Sequence, residues 1–176
     1  MTNPMDDLSL PEVRSLVAAA NAVRWQRDAS GSAAGSDDRH AERQLDALFG
    51  TSHTLAVYGT LAPGQPNHHV VAPLGGEWTE GLIEGDLLAE GWAADLGYPG
   101  FRPRVGGPAV VVQVLSAPSL ATAWPTLDRF EGPEYQRILV PVFSTEPSPG
   151  QAGERRLHTV ANLYAATDAS PGAAAF

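Results

Sequence analysis

Apolar residues recur at helical spacing at Leu10, Val13, Leu16, Val17, Ala20 and Val23, which predicts an amphipathic helix over residues 8–29. Ser9 is placed to cap it, Pro11 falls near its first turn, and Glu12 suits the positive end of its dipole. SGSAAGS (30–36) has the composition of a flexible linker. A second helix is expected over 37–49, with Asp37 or Asp38 as cap, Leu45, Leu48 and Phe49 as apolar edge, and Gly50 as its stop. Residues 1–53 therefore read as an N-terminal helical extension.

The pattern changes at Thr54. TLAVY (54–58) is a short apolar run closed by Gly59, the mark of a buried strand. GTLAPGQP (59–66) is turn-rich. The stretch 77–91 alternates weakly around Gly81, Gly85 and Gly91, which suits bent or bulged strands at the corner of a small barrel. Residues 92–108, dense in Gly and Pro, are expected to be loop. Strands follow at 109–115 and 137–143, the second with a bulge or edge at Pro141, and a helix lies between them within 118–131. SPGQAGE (148–154) is a hairpin-like turn, 156–166 the last strand, and 167–176 a tail with little to bury. After Thr54 strands outnumber helices and no βαβ alternation appears, which favours an α+β fold.

Composition narrows the chemistry. The chain has 176 residues, enough for one core, and no Cys, which excludes a disulfide framework, a thiolate nucleophile and thiolate metal sites. All 11 basic residues are Arg, so Schiff-base and P-loop lysine chemistry are excluded. A net charge of −9 argues against nucleic acid as a partner. No apolar run is long enough for a membrane span, and MTNPMDDLSL lacks the basic and apolar parts of a signal peptide, so a cytoplasmic location is expected. His68 and His69 are adjacent rather than four apart, and the other three His are scattered, so no metal site is expected.

Two segments can carry chemistry. Leu120, Trp124, Leu127 and Glu131 are spaced 4, 3 and 4 apart and share one helix face. Three of them are apolar, so Glu131 is carried to the rim of the core. Partial burial and the negative end of the helix dipole both raise its pKa, which makes it a candidate general acid or base. Two features oppose this: Pro125 would rotate the helix halves, and a solvated helix-end carboxylate has the same spacing. The second segment is Tyr58-Gly59-Thr60-Leu61, where glycine after a strand admits a ligand close to backbone N–H groups. No GxSxG elbow or GxGxxG fingerprint in strand–helix context is present.

VYGTLAPGQPNHHVV (57–71), LDRFEGPEYQRILVPV (127–142) and VANLYAA (160–166) together resemble the γ-glutamylcyclotransferase family, including its AIG2-like and γ-glutamylamine cyclotransferase-like members. The resemblance covers about 54–166 and leaves residues 1–53 without a counterpart. It implies a small, mostly antiparallel, closed or nearly closed β-barrel with flanking helices and a cavity at one end. It implies an enzyme that cyclises a γ-glutamyl amine or peptide to 5-oxoproline without a cofactor. Glu131 would be the catalytic acid/base. Tyr58, Gly59, Thr60 and Leu61 would bind the γ-glutamyl group, and Tyr164 would line the pocket. Tyr135 and Arg137 match the family's continuation, with Arg137 expected to pair with an acid such as Asp128. A non-catalytic binding module on the same fold is the alternative. The apolar faces of the 1–53 helices are expected to cover the barrel, mediate a homodimer or gate the pocket.

Overall fold

The structure, a computed structural model, describes residues 8–30, 39–88, 100–146 and 155–167. Six strands form one sheet: β1 (Thr54–Val57), β2 (Glu77–Leu88), β3 (Gly100–Pro103), β4 (Ala109–Ser116), β5 (Tyr135–Phe143) and β6 (Leu157–Ala166). Their order is β3-β2-β4-β1-β6-β5, and a β2–β5 pairing at Leu82 and Phe143 closes five of them into a barrel with β3 appended to β2. All pairings are antiparallel except β1 with β6. Helices α1 (Leu10–Ser30) and α2 (His40–Phe49) precede the barrel, and α3 (Leu120–Glu131) connects β4 to β5. Among the described residues no helix is long and apolar enough to cross a membrane.

Strand parity builds three apolar layers. Ala56, Val112, Val114, Ile138, Val140, Val142, Ala161 and Leu163 alternate along their strands and fill the barrel. The opposite faces of β1 and β4, through Leu55, Val57 and Leu115, pack under α3. Leu139 and Val160 pack under Val13, Val17, Ala20 and Leu45 of α1 and α2. Both faces of β5 and β6 are thus covered, which is why RILVPVF and VANLYAA read as nearly continuous apolar runs. The N-terminal helices cover one side of the barrel.

That cover includes a substitute for a missing strand. β5 pairs with β6 along its length but meets β2 only at Phe143, so its other edge is left open. The buried side chain of Asn21 lies along this edge, donating to the Leu139 carbonyl and accepting from the Leu139 N–H, both at 2.8 Å. One carboxamide thereby satisfies two buried backbone groups that a neighbouring strand would otherwise pair.

Several expectations are corrected. The loop expected at 92–108 contains β3, where Phe101 is fully buried. The bent strands expected over 77–91 are one long strand that leaves β4 after Glu84 and takes β3 from Gly85. The irregularity expected at Pro141 falls between Val142 and Phe143. Ser9 takes the cap position differently from expectation: its carbonyl accepts from the Val13 N–H, but its hydroxyl, like its N–H, donates to Glu12 instead of accepting from the helix backbone. The second helix, expected from 37, starts at His40 with Arg39 rather than Asp37 or Asp38 at its cap position, and Ser30 of the expected linker ends α1. The rest of that linker, the turn at 148–154 and the tail beyond Thr167 lie outside the described residues.

Gly85 marks the partner exchange and has no room for a side chain. A Cβ there would sit 2.3 Å from the Arg102 carbonyl oxygen and 2.4 Å from the Phe101 ring. Because one contact is backbone, relief requires β3 to move. Gly85→Ala is expected to cost about 2–3 kcal/mol by overpacking, read from a lower denaturation midpoint at unchanged slope. Wild-type stability in that variant would refute the tight crossing.

Candidate functional site

α3 brings Glu131 to the barrel. Leu120, Trp124 and Leu127 are buried on its inner face, and Glu131 follows four residues later on the same face. Pro125 lies inside the helix, points to solvent, and does not divide it, so the expected rotation of the two halves does not occur. Gly132 ends the helix at φ 76°, its N–H donating to the Asp128 carbonyl at 3.2 Å.

Glu131 is mostly shielded from water. Among the described residues its carboxylate meets no hydrogen-bond donor or cation. Burial pushes it up from 4.5 to about 7. Three tyrosines lie within electrostatic reach: Tyr58 beyond β1, Tyr135 at the start of β5, and Tyr164 near the end of β6. Burial raises the pKa of each, and the Glu131 charge adds to it. All three therefore stay protonated near neutrality.

The tyrosines are fixed by different partners. The Tyr58 hydroxyl donates to the Tyr164 carbonyl at 2.9 Å, and its ring lies 5.7 Å from that of Phe101. The Tyr164 hydroxyl donates to Asp128 Oδ1 at 2.7 Å. Asp128 also receives Arg137 through two bonds, Nε at 2.8 Å and Nη2 at 3.2 Å, so the expected Arg137–Asp128 pair is present. The Arg137 guanidinium lies over the Trp124 ring at 4.5 Å.

The Gly59–Leu61 turn is held by its acceptors. The Gly59 carbonyl accepts from the Ala62 N–H, and the Thr60 carbonyl and hydroxyl accept from Asn67. The Leu61 carbonyl lies 3.0 Å from His68 Nδ1, and the Leu61 side chain is buried under α3. The N–H groups of Gly59, Thr60 and Leu61 donate to nothing among the described residues. Three successive open amides beside Tyr58 can receive an anion or a developing oxyanion.

The structure thus brings Glu131, Tyr58 and Tyr164 together, with Gly59, Thr60 and Leu61 on the segment that leaves Tyr58. Sequence reasoning missed Asn162 and Arg24. The Asn162 amide, 1% exposed, donates to the Thr51 and Thr54 carbonyls, and its oxygen accepts from Arg24 and Arg137. A lone amide inside the apolar run VANLYAA was the available signal. A cleft of about 250 Å³ opens between the N-terminal helices and the barrel, walled by Arg24 and Glu42 on one side and by Asp128, Tyr135, Arg137 and Tyr164 on the other.

Fold and site together define a small closed mixed β-barrel whose rim joins a glycine turn to one sheltered carboxylate. The family model for γ-glutamyl cyclotransferase, AIG2-like proteins matches residues 55–172, and the chain belongs to that family. Its barrel is the cyclotransferase-type fold, and α1 and α2 precede the matched region. An AIG2-like protein from mouse is 25% identical at a TM-score of 0.49, with 69% of this chain and 81% of that one covered. YkqA from Bacillus subtilis is 22% identical at 0.47, covering 65% and 36%. A protein from Arabidopsis thaliana is 18% identical at 0.46, covering 70% and 67%. No curated protein matches the chain.

Proposed function

We propose that the protein cyclises a γ-glutamyl amine or γ-glutamyl peptide, releasing 5-oxoproline and the free amine, with Glu131 as the proton carrier. The observation that carries this reading is the sheltered Glu131 carboxylate beside Tyr58 and its turn of open amides.

In such a substrate the α-nitrogen is the nucleophile. It attacks the γ-carbonyl carbon, a five-membered lactam forms, and the bond from that carbon to the amide nitrogen breaks. No water is consumed. The protein has to fold the chain into this geometry, take two protons from the α-ammonium as it becomes the lactam N–H, pass them to the departing nitrogen, which leaves as an ammonium, and stabilise the oxyanion between. Glu131 raised to about 7 is matched to both proton steps: it takes a proton more readily than an ordinary carboxylate and is still acid enough to return it. The Gly59–Leu61 amides serve the oxyanion or the α-carboxylate, and the protonated hydroxyls of Tyr58 and Tyr164 line the pocket.

The test is a screen of γ-glutamyl amines, γ-glutamyl dipeptides and glutathione for 5-oxoproline release. A raised melting temperature without product from any of them would make the protein a binding module instead. With a substrate in hand, kcat/KM follows the deprotonated Glu131. It is expected to rise about tenfold per pH unit below 7 and to level off above. A flat profile from pH 5 to 8 would remove Glu131 from the proton path.

A further inference from the structure

We propose that Arg24, carried by the N-terminal helix α1, is a positioning residue of this site, fixing Asn162 and Arg137 and through them the Asp128–Tyr164 pair beside Glu131. The proposal rests on the cyclotransferase reading and extends it to a helix outside the family match.

The Arg24 side chain is 11% exposed. Its Nε and Nη2 reach Glu42 Oε1, the former at 2.9 Å. Its Nη1 donates to Asn162 Oδ1 at 2.8 Å and to the Arg137 carbonyl at 3.3 Å. Arg137 Nη1 reaches the same Asn162 oxygen at 3.4 Å while its other nitrogens hold Asp128. Asp128 holds the Tyr164 hydroxyl. A continuous hydrogen-bonded path therefore runs from α1 to a tyrosine within electrostatic reach of Glu131.

Packing alone does not account for this arrangement. Burial opposes the charge on Arg24, Glu42 offsets this only in part, and the Arg137 charge beside it opposes it again, so its pKa stays lowered. An apolar side chain would cover the barrel without either penalty. What Arg24 supplies is a fork that fixes three groups at once and a positive charge within range of Asp128. The groups facing Glu131 are Tyr58, Tyr135 and Tyr164 from three different segments, with Asp128 one turn earlier on its own helix. Glu131 is raised by burial, so its midpoint reports how well the groups around it keep water out. Loss of Arg24 frees Asn162 and Arg137 and lets the Asp128–Tyr164 pair move away from it.

The experiment uses the full-length protein with Arg24→Met and Arg24→Gln; the second keeps an amide donor for Asn162, so that a folded variant without the charge is secured. Glu131 is titrated by carbon NMR of its carboxyl group, which needs no substrate, and kcat and KM are measured for 5-oxoproline release. The midpoint is expected to fall toward the ordinary carboxylate value in both variants as water enters beside the displaced Tyr164, and kcat to fall about ten- to a hundredfold with KM little changed. An unmoved midpoint in the folded variants would overturn the positioning role and leave Arg24 as a structural group. If the wild-type protein turns over no γ-glutamyl compound, the cyclotransferase reading fails separately, and the titration still decides for or against Arg24.

Discussion

Glu131→Gln is expected to lower 5-oxoproline release by about 10²–10⁴-fold, the usual contribution of a positioned acid/base, and at pH 8 to melt at a higher temperature than the wild type. The two effects share one cause. Glu131 titrates near 4.5 when the chain is unfolded and near 7 when folded. Between these values the folded state binds more protons than the unfolded state, so stability falls as pH rises. Below about 4.5 the acid is neutral in both states and imposes no penalty. Above about 7 it is charged in both, and the full cost of holding a carboxylate out of water applies. A shift of this size corresponds to roughly 3 kcal/mol. Gln has the same shape and no charge, so it removes the penalty where the penalty exists. In a protein of this length that is worth about 6–10 °C at pH 8 and close to nothing at pH 4. Product release at both pH values, with melting curves alongside, checks both halves. A Gln variant that is inactive but no more stable at pH 8 would place Glu131 in water, and an active one would remove it from catalysis.

Glu131 was legible because its position depends on local periodicity. Three core residues on one helix face carry the next residue of that face inward, whatever the rest of the chain does. The same local logic located the buried strand before Gly59, the helix stop at Gly50 and the runs that became β4, β5 and β6. β3 was missed because Gly-Phe-Arg-Pro is too short to show alternation between its flanking turn residues. It is a strand because Phe101 fits over Gly85 of β2, a non-local fit. Asn21 and Arg24 were missed for a related reason. A polar residue beside an apolar stripe looks solvated until the open edge of β5 is known to lie against it. That edge is set by how the barrel closes, and the Arg24–Asn162 bond spans 138 positions in sequence. Where a group sits along its own helix or strand was readable; which distant group needs it was not.

Asn162 offers the sharpest test of that long-range wiring. Asn162→Leu keeps the volume and apolar character of the strand but removes one amide that serves four partners. The Thr51 carbonyl keeps a bond from the Thr54 N–H, but the Thr54 carbonyl loses its link to the amide, at 3.3 Å, and Arg24 and Arg137 lose their shared acceptor. Unsatisfied buried groups cost about 1–3 kcal/mol each, and more when charged. The expected loss is about 3–5 kcal/mol, a large part of the stability of a domain this size. Asn162→Asp separates the two halves of the hub. It keeps an oxygen for both guanidiniums and adds a charge that attracts them, while its second oxygen faces the Thr51 and Thr54 carbonyls as acceptor against acceptor. The gain on the guanidinium side offsets that repulsion, so it should cost less than Leu. Denaturant midpoints for the two variants check the order. The hub also joins β6 to the start of β1, four residues before Tyr58, and lies two residues before Tyr164. Asn162→Asp should therefore weaken binding of 5-oxoproline even where the fold survives, because Thr54 no longer anchors the strand that presents the glycine turn. Equal stability of Leu and Asp, with unchanged affinity in the latter, would reduce Asn162 to an ordinary strand residue.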